Sequence, residues 1–350
     1  MPEPEFKSPY EFRHHLERIA TTYVAQTAEQ KVQKEFDRIF EFGSFAPHIE
    51  KSPECLSIFG PSRWGKTRLI QNWLMRHPAY TEGDDDIIPA LYVRLDGTVT
   101  TKGLMRLILE ALGLDPDIIG YGKKDEGRLL WDVVKQLRRQ KVQIVFLDEV
   151  QHLIERTKTT RSLIFAVANQ LKTLVEKSKI PFVFVGIERG KDIAKFDEQI
   201  AGRNPRTLNL HRLIWDNPNH QEEYLVFLRA LQDAAGFPKD SLLYMPETAL
   251  CIFAACDGLK GKTADFILQC AMDAYLAGMD HISRQVMKNL ADLIEGLGPE
   301  RNPFSDAAAL QDVLKNGVQP EGDKSDPLAH TGQRRGARKP TTGEMLGRRA

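Results

Sequence analysis

The chain has 350 residues, which exceeds one typical domain and favours two compact units or one large domain with appendages. It is 42% hydrophobic and 27% charged, and it has no apolar run of the roughly 18 residues that span a bilayer. We therefore expect a globular, cytoplasmic protein without a membrane partner. The formal net charge is zero, so a nucleic-acid partner would have to be held by a local basic face.

The first half of the chain changes from a helical to a strand pattern. Residues 1–50 carry apolar residues at helical spacing and are predicted to form an N-terminal helical arm. Residues 51–214 contain five short apolar runs, which are Cys55–Phe59, Ile87–Leu95, Val142–Leu147, Pro181–Gly186 and Thr207–Leu210. Because helical patterns separate most of them, we predict an α/β domain with a parallel five-stranded sheet flanked by helices.

The second half shows no strand pattern. Residues 215–300 have apolar positions at helical spacing and are predicted to form a small all-helical lid domain. Residues 301–350 are assigned to a flexible basic C-terminal tail, since a segment rich in Gly, Pro and charge cannot bury enough apolar surface to offset its ordering entropy. The four cysteines lack C-x-x-C spacing and are expected in the core rather than on a metal.

The segment Phe59–Ile70, FGPSRWGKTRLI, matches the phosphate-binding pattern G-x-x-x-x-G-K-[ST]. Its two glycines let the loop turn so that backbone N–H groups face phosphate oxygens at the start of a helix. Lys66 would reach the β and γ phosphates, and Thr67 would ligate Mg²⁺. The predicted ATP-binding residues of this loop are Gly60, Pro61, Ser62, Arg63, Trp64, Gly65, Lys66, Thr67 and Arg68.

A second motif, QIVFLDEVQHL from Gln143 to Leu153, ends a buried strand in two adjacent acids. Asp148 is placed to hold the Mg²⁺ ion, and Glu149 to polarise an attacking water as the catalytic base. A small-molecule kinase transfers phosphate to a bound acceptor and has no need of such a carboxylate. The acid pair therefore favours an ATPase, with ATP and Mg²⁺ as cofactors.

The order of these features resembles the TniB/TnsC family of AAA+ P-loop ATPases, which regulate transposition. The similarity extends from about Pro9 to Phe304 and rests on YVAQT, GPSRWGKT, FLDEVQHL, IPFVFVGIERG, GRNPRTLNL, CDGLKGKTADFILQCAMDA and NPF, in that order. The resemblance implies an ATP-dependent DNA-binding regulator that forms a hexameric or heptameric ring or a helical filament on target DNA. It also implies a link between a target-selection protein such as TniQ and the transposase, which the C-terminal tail would contact. Some relatives serve CRISPR-associated transposons.

The resemblance also assigns roles outside the two motifs. Arg203, with Arg206 as second choice, would complete the catalytic site of a neighbouring subunit. Lys262, or Lys260 beside it, would contact the nucleotide phosphates from the lid. At the end of the fourth strand, where the family places a polar sensor, this chain has Ile187. This departure is consistent with slow or differently timed hydrolysis that serves regulation.

Two short segments are candidates for the DNA-binding surface. Thr101 and Lys102 follow the second strand of the predicted sheet, and Lys123 and Lys124 form a second basic pair. Both would contact phosphates of duplex DNA without regard to sequence. A solvated loop remains the alternative for each. The basic tail suits either DNA phosphates or an acidic partner groove.

Two other protein classes share the nucleotide motifs. A replication initiator or helicase loader would be expected to carry a winged-helix domain after the lid. A STAND-like nucleotide switch without DNA binding would carry a sensor or repeat domain there. We expect neither in the short segment after residue 300, which favours the transposition regulator.

Overall fold

The computed structural model describes residues 9–45, 53–97, 99–115, 124–153, 161–190 and 206–318. The helices in this part are α1 (Pro9–Thr21), α2 (Thr27–Phe45), α3 (Lys66–Leu74), α4 (Thr101–Ala111), α5 (Glu126–Arg139), α6 (Arg161–Ser178), α7 (Pro218–Ala235), α8 (Pro246–Ala255), α9 (Lys260–Leu276), α10 (Arg284–Asp292) and α11 (Ala307–Asn316). The strands are β1 (Leu56–Phe59), β2 (Tyr80–Glu82), β3 (Asp85–Ile87), β4 (Ala90–Arg94), β5 (Ile144–Asp148), β6 (Phe182–Gly186) and β7 (Arg206–Asn209). None of the described helices is long and apolar enough to cross a membrane.

Five of the strands form one parallel sheet in the order β4-β5-β6-β1-β7. The three central strands are buried along their whole length, as their uninterrupted apolar sequences predict. The predicted parallel five-stranded sheet is thus confirmed. Since the strands are parallel, Phe59 at the end of β1, Asp148 at the end of β5 and Gly186 at the end of β6 share one edge of the sheet. Ligands of open α/β sheets bind at this carboxyl edge.

Helices cover both faces of the sheet because alternate residues of each strand point to opposite sides. In β5, Val145 and Leu147 pack toward the helices α4, α5 and α6. Ile144 and Phe146 pack toward α2 and α3 on the other face. There the ring of Phe146 meets Phe36 edge to face, with ring centroids 4.9 Å apart. The second helix of the arm therefore belongs to the core of the α/β domain.

The lid consists of α7 to α11 around its own apolar core, and α1 of the arm packs against α7 and α9. Phe12 of α1 stacks on Tyr275 of α9 with ring centroids 3.7 Å apart. All four cysteines are buried, as expected for core residues. The helical arm thus divides, with α1 on the lid and α2 on the sheet.

The lid also extends further along the chain than the sequence predicted. Residues 301–318 were assigned to the flexible tail, but they form α11 and pack on the lid. Phe304, Val313 and Val318 are buried there, and the side chain of Asn302 bonds to Lys288 O and Asp292. These few apolar residues bury enough surface to hold the segment on the lid, which the average composition of residues 301–350 did not indicate. The remainder of the predicted tail, 319–350, lies outside the described residues.

Candidate nucleotide-binding site

A cavity of about 680 Å³ lies at the carboxyl edge of the sheet, between the phosphate loop, the arm and the lid. Seven of the predicted ATP-binding residues line it, namely Ser62, Arg63, Gly65, Lys66, Thr67, Arg68 and Glu149. Tyr23 and Glu29 of the arm and Lys260 of the lid form the opposite wall. Two separate parts of the chain, the arm and the lid, therefore close around the loop that the sequence assigned to phosphate.

The phosphate loop connects β1 to α3, and Gly65 adopts φ 111°, which is strained for any other residue. The ammonium of Lys66 is buried and donates to Gly60 O at 3.0 Å and to Pro61 O at 2.8 Å. Burial lowers the pKa of Lys66, and the nearby carboxylates of Glu149 and Asp148 oppose that shift. A buried cation held by neutral carbonyls is a favourable partner for an anionic phosphate. Trp64 points away from the cavity into the core and donates to His211 O.

Asp148 is fully buried at the end of β5 and accepts three hydrogen bonds. Thr67 Oγ1 donates to Asp148 Oδ2 at 2.6 Å, Tyr92 OH donates to the same oxygen at 3.0 Å, and Glu149 N donates to Oδ1 at 2.9 Å. Burial raises the pKa of Asp148, while the bonds from Thr67 and Tyr92 oppose the shift. The two predicted metal ligands, Thr67 and Asp148, are thus in direct contact. Tyr92 was not predicted, because its contact with Asp148 depends on β4 lying next to β5 in the sheet.

Glu149 follows Asp148 with a left-handed backbone, φ 60°, and its side chain lines the cavity. Such backbone conformations are rare for residues other than glycine and concentrate at functional sites. The carboxylate accepts a hydrogen bond from the side-chain amide of Gln151. The oxygen of that amide in turn accepts a hydrogen bond from the backbone N–H of Ile187, at 3.3 Å.

The lid contacts the phosphate loop directly at the start of α9. Gly261 N donates to Arg63 O at 2.9 Å, and the guanidinium of Arg63 pairs with Asp265 at 2.8 Å. Lys260 lines the cavity but bonds to Glu29 of the arm. Lys262, the first choice for the lid contact to phosphate, is half-buried and is not among the described residues that line the cavity. The phosphate contact of either lysine stays a prediction.

The other predicted residues lie outside this cavity or outside the described part of the chain. Arg206 on the edge strand β7 pairs with Glu35 of its own chain at 2.6 Å. Thr101 Oγ1 donates to Glu126 at 2.7 Å, and Lys124 pairs with Asp132 at 2.6 Å. Lys102 is half-buried in the first turn of α4. Arg203 and Lys123 lie outside the described residues. These DNA-binding and catalytic roles stay predictions.

A parallel sheet of this order, with a phosphate loop after β1, adjacent acids after β5 and a helical lid over the cavity between them, defines a AAA+ P-loop nucleotide-binding protein. The family model described as "Bacterial TniB protein" matches residues 22–215, and the chain belongs to this family. No curated protein matches the chain.

Solved structures share the fold at low sequence identity. The Aeropyrum pernix ORC2 protein in its ADPNP-ADP complexes is 14% identical with a TM-score of 0.54, over 74% of this chain and 67% of that chain. The A. pernix ORC1 protein in complex with DNA is 18% identical with a TM-score of 0.54, over 83% and 70%. Cdc6p from Pyrobaculum aerophilum is 14% identical with a TM-score of 0.53, over 78% and 69%. These similarities confirm the AAA+ fold.

Proposed function

We propose that this protein is an ATP-hydrolysing regulator of transposition that assembles on target DNA under the control of its nucleotide. The observation that carries the proposal is the convergence of Lys66, the Thr67–Asp148 pair and Glu149 at one cavity, in a chain of the TniB family. The loop Gly60–Arg68 binds the phosphates of ATP.

The residues at the cavity fit a magnesium ion. Thr67 Oγ1 and Asp148 Oδ2 are hard oxygen donors only 2.6 Å apart, and Mg²⁺ prefers such ligands. These two residues would hold the ion, which neutralises phosphate charge when it is bound. Lys66 supplies a second positive charge to the phosphates, and Glu149 orients the water that attacks the terminal one.

Self-assembly would bring the site of one subunit against its neighbour, with Arg203 as the residue that completes it. Thr101, Lys102, Lys123 and Lys124 provide only a few phosphate contacts on each subunit, so a single subunit holds DNA weakly. Joining several subunits around one duplex multiplies these contacts, because each later contact forms at high effective concentration. A hexameric or heptameric ring and a helical filament both satisfy this requirement.

The assembled protein would link a target-selection protein such as TniQ to the transposase, with the basic C-terminal tail as the transposase contact. Family membership supports this role over the alternative of a replication initiator or helicase loader. The CRISPR-associated transposons of some relatives are one setting in which such a link operates.

The test is a salt titration of duplex DNA binding, with and without a slowly hydrolysed ATP analogue. Wild type should bind tightly only with nucleotide, and Lys66→Ala should not bind tightly in either condition. Lys102→Ala should reduce the log–log salt slope by about 0.9 for each DNA phosphate that the lysine neutralises in the assembly. Lys239→Ala, an exposed lysine of the lid, is the matched control and should keep the wild-type slope. Tight binding without nucleotide would contradict nucleotide control, and a slope near zero would favour a nucleotide switch that never holds DNA.

A further inference from the structure

Gln151 occupies an unusual place between the two strand ends that face the cavity. It lies in the short 3-10 turn Val150–Leu153, directly after the acid pair, and only 6% of it is exposed. Its amide nitrogen donates to the carboxylate of Glu149, and its amide oxygen accepts from the N–H of Ile187 at 3.3 Å. One buried side chain therefore connects the end of β5 to the end of β6.

The chemistry of the two partners fixes the orientation of this amide. A backbone N–H can only donate, so the oxygen of Gln151 must face Ile187. An ionised carboxylate can only accept, so the amide nitrogen must face Glu149. Both ends are satisfied in one orientation, and a flipped amide would lose both bonds. The bridge thus has a single arrangement in which both of its hydrogen bonds form.

The backbone of Glu149 is also held in place. Its N–H donates to Asp148 Oδ1 at 2.9 Å, and its φ of 60° is one that surrounding contacts must maintain. The carboxylate itself is held by Gln151. Ile187 stands where the family places a polar sensor, and its side chain offers no hydrogen bond. The polar link between β6 and the acid pair runs instead through its backbone N–H.

We infer that Gln151 is a positioning residue that orients the Glu149 carboxylate for ATP hydrolysis and couples it to the end of β6. The inference rests on the proposed ATPase function and deepens it. Gln151 acts through Glu149 and touches no reacting atom, so its loss lowers the rate of the chemical step and leaves nucleotide affinity unchanged. A displacement of the end of β6 is transmitted to Glu149 through the amide.

The test compares turnover and nucleotide affinity in three variants of the full chain. Gln151→Leu removes both hydrogen bonds, and Gln151→Glu keeps the acceptor for Ile187 but places a like charge beside Glu149. Both should lower kcat for ATP by roughly 10- to 100-fold, with the Kd of a fluorescent ATP analogue within about twofold of wild type. Gln140→Leu removes a buried glutamine that bonds to Leu112 O away from the cavity, and should keep wild-type kcat.

A double-variant comparison tests whether Gln151 acts through Glu149. If it does, Gln151→Leu in a Glu149→Gln background should not reduce the residual turnover further, because the two residues work as a unit. The inference would be overturned if the losses of kcat in the two single variants multiplied in the double variant. It would also be overturned if the Gln151 variants kept the wild-type kcat, or if they lost only nucleotide affinity. If Gln151→Leu fails to fold, Gln151→Glu alone tests the inference, with the same expected fall in kcat and the same retained Kd.

The same assay separates the two proposals. Wild-type turnover that Glu149→Gln abolishes, together with wild-type kcat in both Gln151 variants, would overturn this inference and leave the ATPase proposal standing. Absence of turnover in the wild type, with and without duplex DNA, would overturn both.

Discussion

Lys260 of the lid and Glu29 of the arm form a buried ion pair at the wall of the nucleotide cavity. The ammonium lies 3.0 Å from each carboxylate oxygen and also donates to Val24 O at 2.8 Å. Only 9% and 2% of the two side chains are exposed. Burial lowers the pKa of Lys260 and raises the pKa of Glu29, while each group opposes the shift of the other. Among the described residues, neither group has a second ion pair, so removal of one would leave the other buried charge uncompensated.

Breaking this pair should destabilise the protein more than removing it altogether. Lys260→Met or Glu29→Leu should each lower the free energy of unfolding by about 3–5 kcal/mol, because one buried charge is left uncompensated. The double variant should recover most of that loss. Urea denaturation without nucleotide measures the free energy of unfolding of the two single variants and the double variant. Glu17→Gln, which breaks the exposed Arg13–Glu17 pair, should cost less than about 1 kcal/mol. Additive losses in the double variant would contradict this account.

Glu149→Gln should separate nucleotide binding from hydrolysis. The amide has the size of the carboxylate but does not accept a proton, so phosphate release should fall by roughly 100-fold or more. ATP affinity should be retained, and complexes with DNA should last longer. Glu222→Gln, an exposed acid on α7, serves as the control and should turn over ATP at the wild-type rate. Unchanged phosphate release by Glu149→Gln would remove Glu149 from the role of base.

Arg203→Ala should impair hydrolysis in assemblies more than Arg206→Ala, because Arg206 is already paired with Glu35 of its own chain. An equal mixture of Arg203→Ala and Glu149→Gln subunits should recover about one quarter of wild-type turnover, since random assembly gives that share of interfaces both intact residues. The recovered turnover is measured as the rate of phosphate release at a series of mixing ratios of the two variants. No recovery on mixing would argue against a residue supplied by the neighbour, and a greater loss with Arg206→Ala would favour the second choice.

Gly261→Ala should weaken nucleotide binding by moving the lid off the phosphate loop. A Cβ at this position would lie 2.4 Å from the backbone oxygen of Arg63, so α9 must retreat. We expect a roughly tenfold loss of ATP affinity, about 1.4 kcal/mol, by titration of a fluorescent analogue. Gly127→Ala is the matched helix control, because its Cβ meets only a side-chain oxygen at 3.4 Å. Equal affinities for the two variants would show that the loop does not depend on this contact.

Features with strong local patterns were predictable from the sequence. Four strands of the sheet, β1, β4, β5 and β6, are short apolar runs, whereas the edge strand β7 is partly polar and mostly exposed. The spacing within the phosphate motif places Lys66 and Thr67 at the start of α3. The hairpin of β2 and β3 was missed, since its residues are polar and mostly exposed and only the Gly83-Asp84 turn indicates it. α11 was missed because it was grouped with the segment rich in Gly, Pro and charge that follows it in the chain.

Residues whose role depends on distant parts of the chain were not predictable in the same way. Glu29 and Lys260 are 231 positions apart, and no local pattern indicates that they meet. Tyr92 reaches Asp148 only because β4 and β5 are neighbours in the sheet. Gln151 lies inside a recognised motif, but its partner Ile187 directly follows another strand, β6. Strand order and domain packing, rather than residue type, decide these contacts.

The division of the arm between the two domains limits how far the lid travels. α1 is fixed to the lid, where Phe12 stacks on Tyr275 and the His15 ring bonds to Ala234 O, whereas α2 is fixed to the sheet through Phe36. Only residues 22–26 join the two helices, and such a link spans no more than about 20 Å when fully extended. A short linker that passes along the wall of the cavity therefore ties the lid to the α/β domain. As long as α1 stays packed on the lid and α2 on the sheet, the length of these five residues limits how far the two domains separate at this wall of the cavity.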